Sequence, residues 1–395
     1  MRIVLHEMRK IWNLKIVLVL ALLCAMYYVI FMSVHIDYFR TSHSQTEEVD
    51  YAAELVRRYG PTLEADEYAE FVRETREKLK AEMEAYIRSG PVFAAAGIHS
   101  FEDYERVHEK MDRTEAEDKA VWALLGEEAD FVRFRLQALE KIEASFHNFT
   151  EIVLPRMLEE AANEKERNRI AAVMETEEYR NIMEWWVYDN TLEYTLDLAV
   201  LSVLAVLVLV SPLVVGDRAR KVHLLQYSAK EGRRILGKQL AAVLLSAFLL
   251  TTLLLAVFGA IYSKNGTWVF FDSGLTSFLN DSVFWFGVTY GQYVLLYVGL
   301  LYILCLGTAA MAFMLTMHSR NQITLILKLI PLFAALAFFC VLVFRQMFGL
   351  NNILYRWTMI PGIEPAVCVF VCMIGVAAAL RLVRREQKTD VADGT

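Results

Sequence analysis

Between two strongly apolar runs, the segment PLVVGDRARKVHLLQYSAKEGRRILGKQL (212–240) holds seven Lys and Arg. Within it, Gly232, Gly237 and Lys238 stand at the G-x-x-x-x-G-K spacing by which a loop folds backbone N–H groups around phosphates and aims an ammonium at them. That chemistry also needs a Ser or Thr after the Lys to hold magnesium, and position 239 is Gln. It needs a buried strand leading in and a helix beside a parallel sheet leading out; here a polar helix leads in and an apolar span leads out. The segment is therefore not read as a nucleotide site. A basic loop without a nucleotide points to a docking surface, or to charge held beside anionic lipid headgroups.

Other chemistry-bearing residues form no stronger pattern. His99, His108 and His147 are scattered, and His108-Glu109 lacks the second His that a helical zinc site requires. The pairs Glu127-Glu128 and Glu159-Glu160 fit a solvated helix face. Cys368 and Cys372 lie one helical turn apart without a third ligand nearby, which favours small packing residues over a metal pair. The remaining cysteines, Cys24, Cys305 and Cys340, also fall in apolar runs, so the polar part of the chain can hold no disulfide framework. No catalytic or metal site is expected.

The elements that carry these residues follow from hydropathy. Of 395 residues, 56% are hydrophobic and 22% charged, too apolar for a soluble domain and too charged for a chain buried in lipid throughout. A bilayer core takes about 20 apolar residues per helix, and six runs meet that length with few charges: 16–34, 194–215, 240–262, 293–317, 323–344 and 366–380. Lipid offers backbone polar groups no partner, so these runs are helices. The expected fold is all-α, a polytopic membrane protein with six transmembrane helices and a large helical extracellular domain between the first two. The first run is too long for a signal-peptide core and is read as a retained anchor.

Charge sets the expected orientation. Basic residues precede the first run, fill 216–238, and recur at Arg320 and in the tail (Arg381, Arg384, Arg385, Lys388); threading six helices places all four segments on one side, the cytoplasmic one. The opposite side receives 36–192, with 36 acidic and 20 basic residues, a net of −16 that leaves +9 for the rest of a chain whose total is −7. Trp185, Trp186 and Tyr188 are expected at the outer lipid boundary. The resulting organisation is an amphipathic helix (1–15), span one (16–35), the acidic external domain (36–192), span two (193–215), a basic loop (216–238), spans three to six (239–381) and a tail (382–395).

Inside the external segment, Phe71, Thr75, Leu79, Met83 and Ile87 recur every four residues, with Val72 and Tyr86 widening the stripe until Gly90-Pro91 stops it. Ser100 with Asp103 opens another helix; Phe131, Phe134, Ala138, Ile142 and Phe146 stripe a third; 154–173 and 177–190 complete a helical set without a sheet. Asn148-Phe149-Thr150 and Asn265-Gly266-Thr267 match the glycosylation pattern, which is common by chance. Asp197 and Lys328, each near the end of a span, are read as snorkelling to water.

Along the basic segment, an apolar helix ends in a polar turn, followed by an acidic residue with bases, a Leu-Leu pair, a Ser, a Gly-Arg and a Lys entering the next span. These elements are Asp217, Arg218, Leu224, Leu225, Ser228, Gly232, Arg233 and Lys238. The succession resembles the intracellular loop of ABC-2 type transporter permeases, in which Glu more often stands where Asp217 does. The likeness extends to MRIVLHEMRKIWNLK, similar to the elbow helix that lies on the inner membrane surface, with Leu5, Met8 and Trp12 toward lipid. It also covers six spans with both termini inside and the PGIEPAV turn at 361–367.

The resemblance implies a permease subunit that binds no cofactor and has no ATPase residues. A separate ATP-binding cassette subunit would dock under the loop, and a second permease chain, alike or different, would complete an export pathway in a bacterial cell membrane; nucleic acid has no part in it. The rival is a membrane-anchored sensor or scaffold whose external domain binds a ligand. An ion-coupled transporter is disfavoured by the few charges deep in the spans and by the lack of an inverted repeat.

Overall fold

The computed structural model describes residues 2–41, 43–123, 127–222 and 232–388. Six helices are long and apolar enough to cross a membrane: Leu14–Met32, Trp185–Ala219, Gly232–Asn265, Tyr290–Met317, Gln322–Phe344 and Ile363–Lys388, numbered spans one to six. Among the described residues there is no strand, only isolated backbone bridges. The chain divides into two compact units. The first comprises Met1–Ile36, Asn190–Asn265 and Gln292–Thr395, the second Asp37–Asp189 and Gly266–Gly291.

In the first unit, local chemistry sets where the helices begin and break. The Asn13 side chain accepts from Ile16 N at 3.1 Å to cap span one, and Asn321 accepts from Thr324 N at 2.8 Å to cap span five. Ser211-Pro212 interrupts span two, because Pro has no N–H for the helical ladder, and the short helix Pro212–Ala219 continues beyond it. Span two is the enclosed helix, with 78% of its most apolar stretch buried against 6% for span one. Spans four and six meet through small residues. A Cβ on Gly307 would stand 2.7 Å from Cys372 Sγ, and one on Gly375 2.7 Å from Met311 Cε. Cys372 is thus a packing residue.

The second unit is built around the helix Glu127–Asn148, which packs against His43–Tyr59 and Ala65–Ser89. Its Arg135 reaches Glu47 and Glu82 on those two neighbours, and Lys141 reaches Glu48. Phe71, Val72, Leu79, Met83 and Ile87 are buried, as their spacing requires, and Gly90-Pro91 ends the helix. Ser100 accepts from Asp103 N at 3.1 Å. Tyr68, Phe146 and Phe278 form an aromatic triangle with centroids 5.1, 5.3 and 6.0 Å apart.

Two details differ from expectation. Residues 154–173 are not one helix: Leu154–Glu159 ends and Asn163 caps a new one, Glu164–Glu175, by accepting from Glu166 N at 3.0 Å. Residues 177–184 are not helical either. Glu177 turns at φ 53° and the following backbone is held by bonds from Leu63 N to Arg180 O (3.0 Å), Ile182 N to Pro61 O (2.9 Å) and Phe278 N to Tyr179 O (2.9 Å). Tyr188 is buried against Phe284 (5.2 Å) and the Trp186 indole donates to Phe39 O (3.2 Å), so both rings serve protein packing.

Candidate functional site

The helix Arg2–Ile11 turns Ile3, Val4, Glu7 and Ile11 toward the rest of its unit and leaves Leu5 52% exposed on the adjoining face. A carboxylate within a packing face demands partners, and Glu7 has two. Lys10 Nζ lies 2.8 Å from Glu7 Oε1 and 3.1 Å from Asp217 Oδ2. Gln239 Nε2 donates to Glu7 Oε2 at 3.1 Å and to Asp217 Oδ2 at 3.2 Å. Burial pulls the Lys10 ammonium toward lower pKa, but Glu7 and Asp217 outweigh it and hold it above the ordinary lysine value. The terminal helix, the end of span two and the start of span three are thereby tied together.

The same end carries further ties. Arg218 Nη1 donates to Ser319 O at 2.8 Å, just past span four, and Arg233 Nη1 to Glu386 O at 3.2 Å in the last turn of span six. Lys328, expected to snorkel, donates to His318 O at 3.0 Å. Carbonyls at helix C-termini lack helical partners, so cations that reach them satisfy hydrogen bonding and dipole at once. The described parts of the four basic segments are therefore joined by named bonds.

Of the residues singled out in sequence, Asp217, Arg218 and Arg233 take part in this junction. Gly232 opens it in a left-handed conformation (φ 53°) within a short 3-10 turn. Gly237 and Lys238 fall in the helix Ile235–Tyr262, where a Cβ on Gly237 would stand 3.2 Å from Gln387. Their backbone is committed to a helix rather than to a phosphate-wrapping loop. Leu224, Leu225 and Ser228 lie outside the described residues. Arg220, Lys221 and Arg234 are exposed and face solvent. Beside them, a cavity of about 460 Å³ is lined by Lys10, Asn13, Lys15, Asp217 and Arg220 over apolar walls.

Sequence reading missed Glu7, Lys10 and Gln239. The available signal was Glu7 at the i+4 position from Ile3 and before Ile11 on an otherwise apolar stripe. It also missed the other end of the unit. There His35 Nε2 stands 3.3 Å from Asp197 Oδ2 and its Nδ1 3.3 Å from Asn190 Oδ1, while Tyr27 donates to Asp197 at 3.4 Å. Asp197 is held by side chains of span one and its extension instead of only by water. Asn265 is buried with its amide donating to His35 O at 3.0 Å, an enclosed position for a glycan acceptor. No group of three or more His, Cys, Asp or Glu among the described residues is placed to hold a metal ion.

The junction ties 212–219 and 232–240, which end span two and begin span three, by short polar bonds to the terminal helix, to the end of span four and to span six. No protein-family model, no curated protein and no solved structure matches this chain.

Proposed function

We propose that the chain is the permease subunit of an ABC-2 type transporter, exporting a substrate across a cell membrane with both termini in the cytoplasm. The observation that carries the reading is the junction: a strongly basic segment whose base is bonded to three other helical elements, the terminal helix, the end of span four and span six, is built to receive a force and distribute it. The chain binds no nucleotide; a separate ATP-binding cassette subunit docks on the exposed bases Arg220, Lys221 and Arg234, and ATP-driven closure moves the helices between two states. A second permease chain completes the pathway, and membrane lipid covers the apolar outer faces.

Purification from native membranes under mild detergent tests this. The expected result is a co-purifying ATPase whose hydrolysis rate depends on the chain. A preparation that is fully functional without any nucleotide-hydrolysing companion overturns the proposal. The sensor or scaffold reading draws on the second unit, which has its own aromatic core; it gains if a ligand of that unit alters signalling while no ATPase is present.

A further inference from the structure

The second unit contains a buried carboxyl that the transport reading does not use. Glu184 is 2% exposed and immediately precedes the helix that becomes span two. Its Oε2 accepts from Trp186 N at 2.8 Å and Val187 N at 3.1 Å, the first free donors of that helix. Its Oε1 is equally enclosed and has no partner. An acceptor oxygen left bare away from water costs about 1–3 kcal/mol when neutral and more when charged, so the group must be explained.

The surroundings do not favour a second negative charge. From the helix His43–Tyr59 it faces Glu48, 4% exposed, and from Glu127–Asn148 it faces Lys141. Lys141 is already committed to Glu48, with Nζ 2.9 and 2.7 Å from the two carboxylate oxygens and 6.0 Å from the Trp185 ring centroid. Its side chain is 53% exposed, so much of its charge is screened by water. Asp281, on the segment 266–291, draws on the same lysine. Three carboxyls thus surround one half-solvated ammonium.

We propose that Glu184 is a proton-binding site, that the proton sits on the enclosed Oε1, and that the second unit is most stable with the proton bound. Two backbone N–H donors favour the anion, but burial and the neighbouring Glu48 outweigh them and push the Glu184 pKa up from 4.5 to about 8. The folded chain then keeps a proton that the unfolded chain has already released. The stabilisation is complete below the ordinary carboxyl pKa and is lost as pH rises from there through about 8. Neither this site nor its test depends on an ATPase partner.

The test uses the full-length protein in detergent. Thermal and urea unfolding are followed from about pH 5 to about pH 9, and the unfolding constant of the wild type is expected to rise by up to tenfold per pH unit. Glu184→Gln keeps an oxygen for Trp186 and Val187 without a charge; it is expected to lose this slope and to exceed the wild type in stability at the alkaline end. An unchanged slope in the variant overturns the proposal. Infrared difference spectra of the wild type decide the matter even if the variant does not fold: a protonated-carboxyl stretch present in neutral solution and lost in alkali is expected, and a spectrum without it also overturns the site.

Discussion

Gln239 Nε2 stands 3.2 Å from Asp217 Oδ2, although the two residues belong to different spans and are separated by the most basic stretch of the chain. The amide that breaks the phosphate-loop pattern by occupying the Ser or Thr position is thus the group that closes the loop at its base. Glu7 and Asp217 both bond to the Lys10 ammonium and to this amide. Removing either donor takes a hydrogen bond from two buried carboxyl groups.

Gln239→Leu is therefore expected to destabilise the first unit by about 1–3 kcal/mol and to raise protease access to the Arg2–Ile11 helix. Thermal unfolding in detergent and limited proteolysis measure the two effects. Lys10→Met should act in the same direction and more strongly, since it removes a cation bonded to both carboxylates. A Gln239→Leu protein with wild-type stability and protection counts against the junction.

The bases divide by what they touch. Arg218 and Arg233 donate to backbone carbonyls of their own unit, whereas Arg220, Lys221 and Arg234 face solvent. Reversal of the three exposed bases to Glu is expected to abolish ATPase co-purification while leaving unfolding within about 0.5 kcal/mol of the wild type. Arg218→Glu should instead lower stability by about 1–3 kcal/mol, whatever it does to association. If the exposed triple reversal leaves ATPase binding intact, those bases are not the docking surface.

Spans four and six approach as closely as they do because residue 307 has no side chain. Gly307→Ala places a Cβ 2.7 Å from both Cβ and Sγ of Cys372, and overpacking of this kind costs about 1–3 kcal/mol. Cys372→Ala would not relieve the clash, because its Cβ remains; Cys372→Gly removes both 2.7 Å contacts and leaves only the Cα at 3.0 Å, a partial relief. A double-mutant cycle of Gly307→Ala with Cys372→Gly is expected to show recovery of stability relative to the sum of the single changes. Strict additivity would place the close contact elsewhere.

What was legible in the sequence was whatever is periodic. Six apolar runs, the stripe from Phe71 to Ile87 and the stop at Gly90-Pro91 follow from burial repeating along one helix. The paired groups were not legible, because hydrogen bonds such as Glu7 to Gln239 or Arg218 to Ser319 join positions distant in the chain, and a single sequence records no such pairing. Residues 177–184 failed for a related reason: their composition suits a helix, but bonds to 61–63 and 278 hold the backbone in a turn followed by isolated bridges. Helix periodicity likewise says nothing about 266–291, which has little regular structure yet belongs to the second unit.

That last membership has a measurable consequence. Phe278 is fully buried, in ring contact with both Tyr68 and Phe146, and its backbone N–H donates to Tyr179 O at 2.9 Å. Nearby, Ser277 Oγ accepts from Met183 N at 3.0 Å, and Arg169 Nε donates to Phe284 O at 2.6 Å. If 266–291 were only a connector between spans three and four, Phe278→Ala would change stability little. As a core residue its truncation is expected to cost about 3–5 kcal/mol, seen as faster hydrogen exchange in the helices Ala65–Ser89 and Glu127–Asn148 with the first unit's amides unaffected. Phe278→Leu, which refills much of the space, should recover a large part of that loss; equal exchange in wild type and Phe278→Ala would return the segment to the status of a linker.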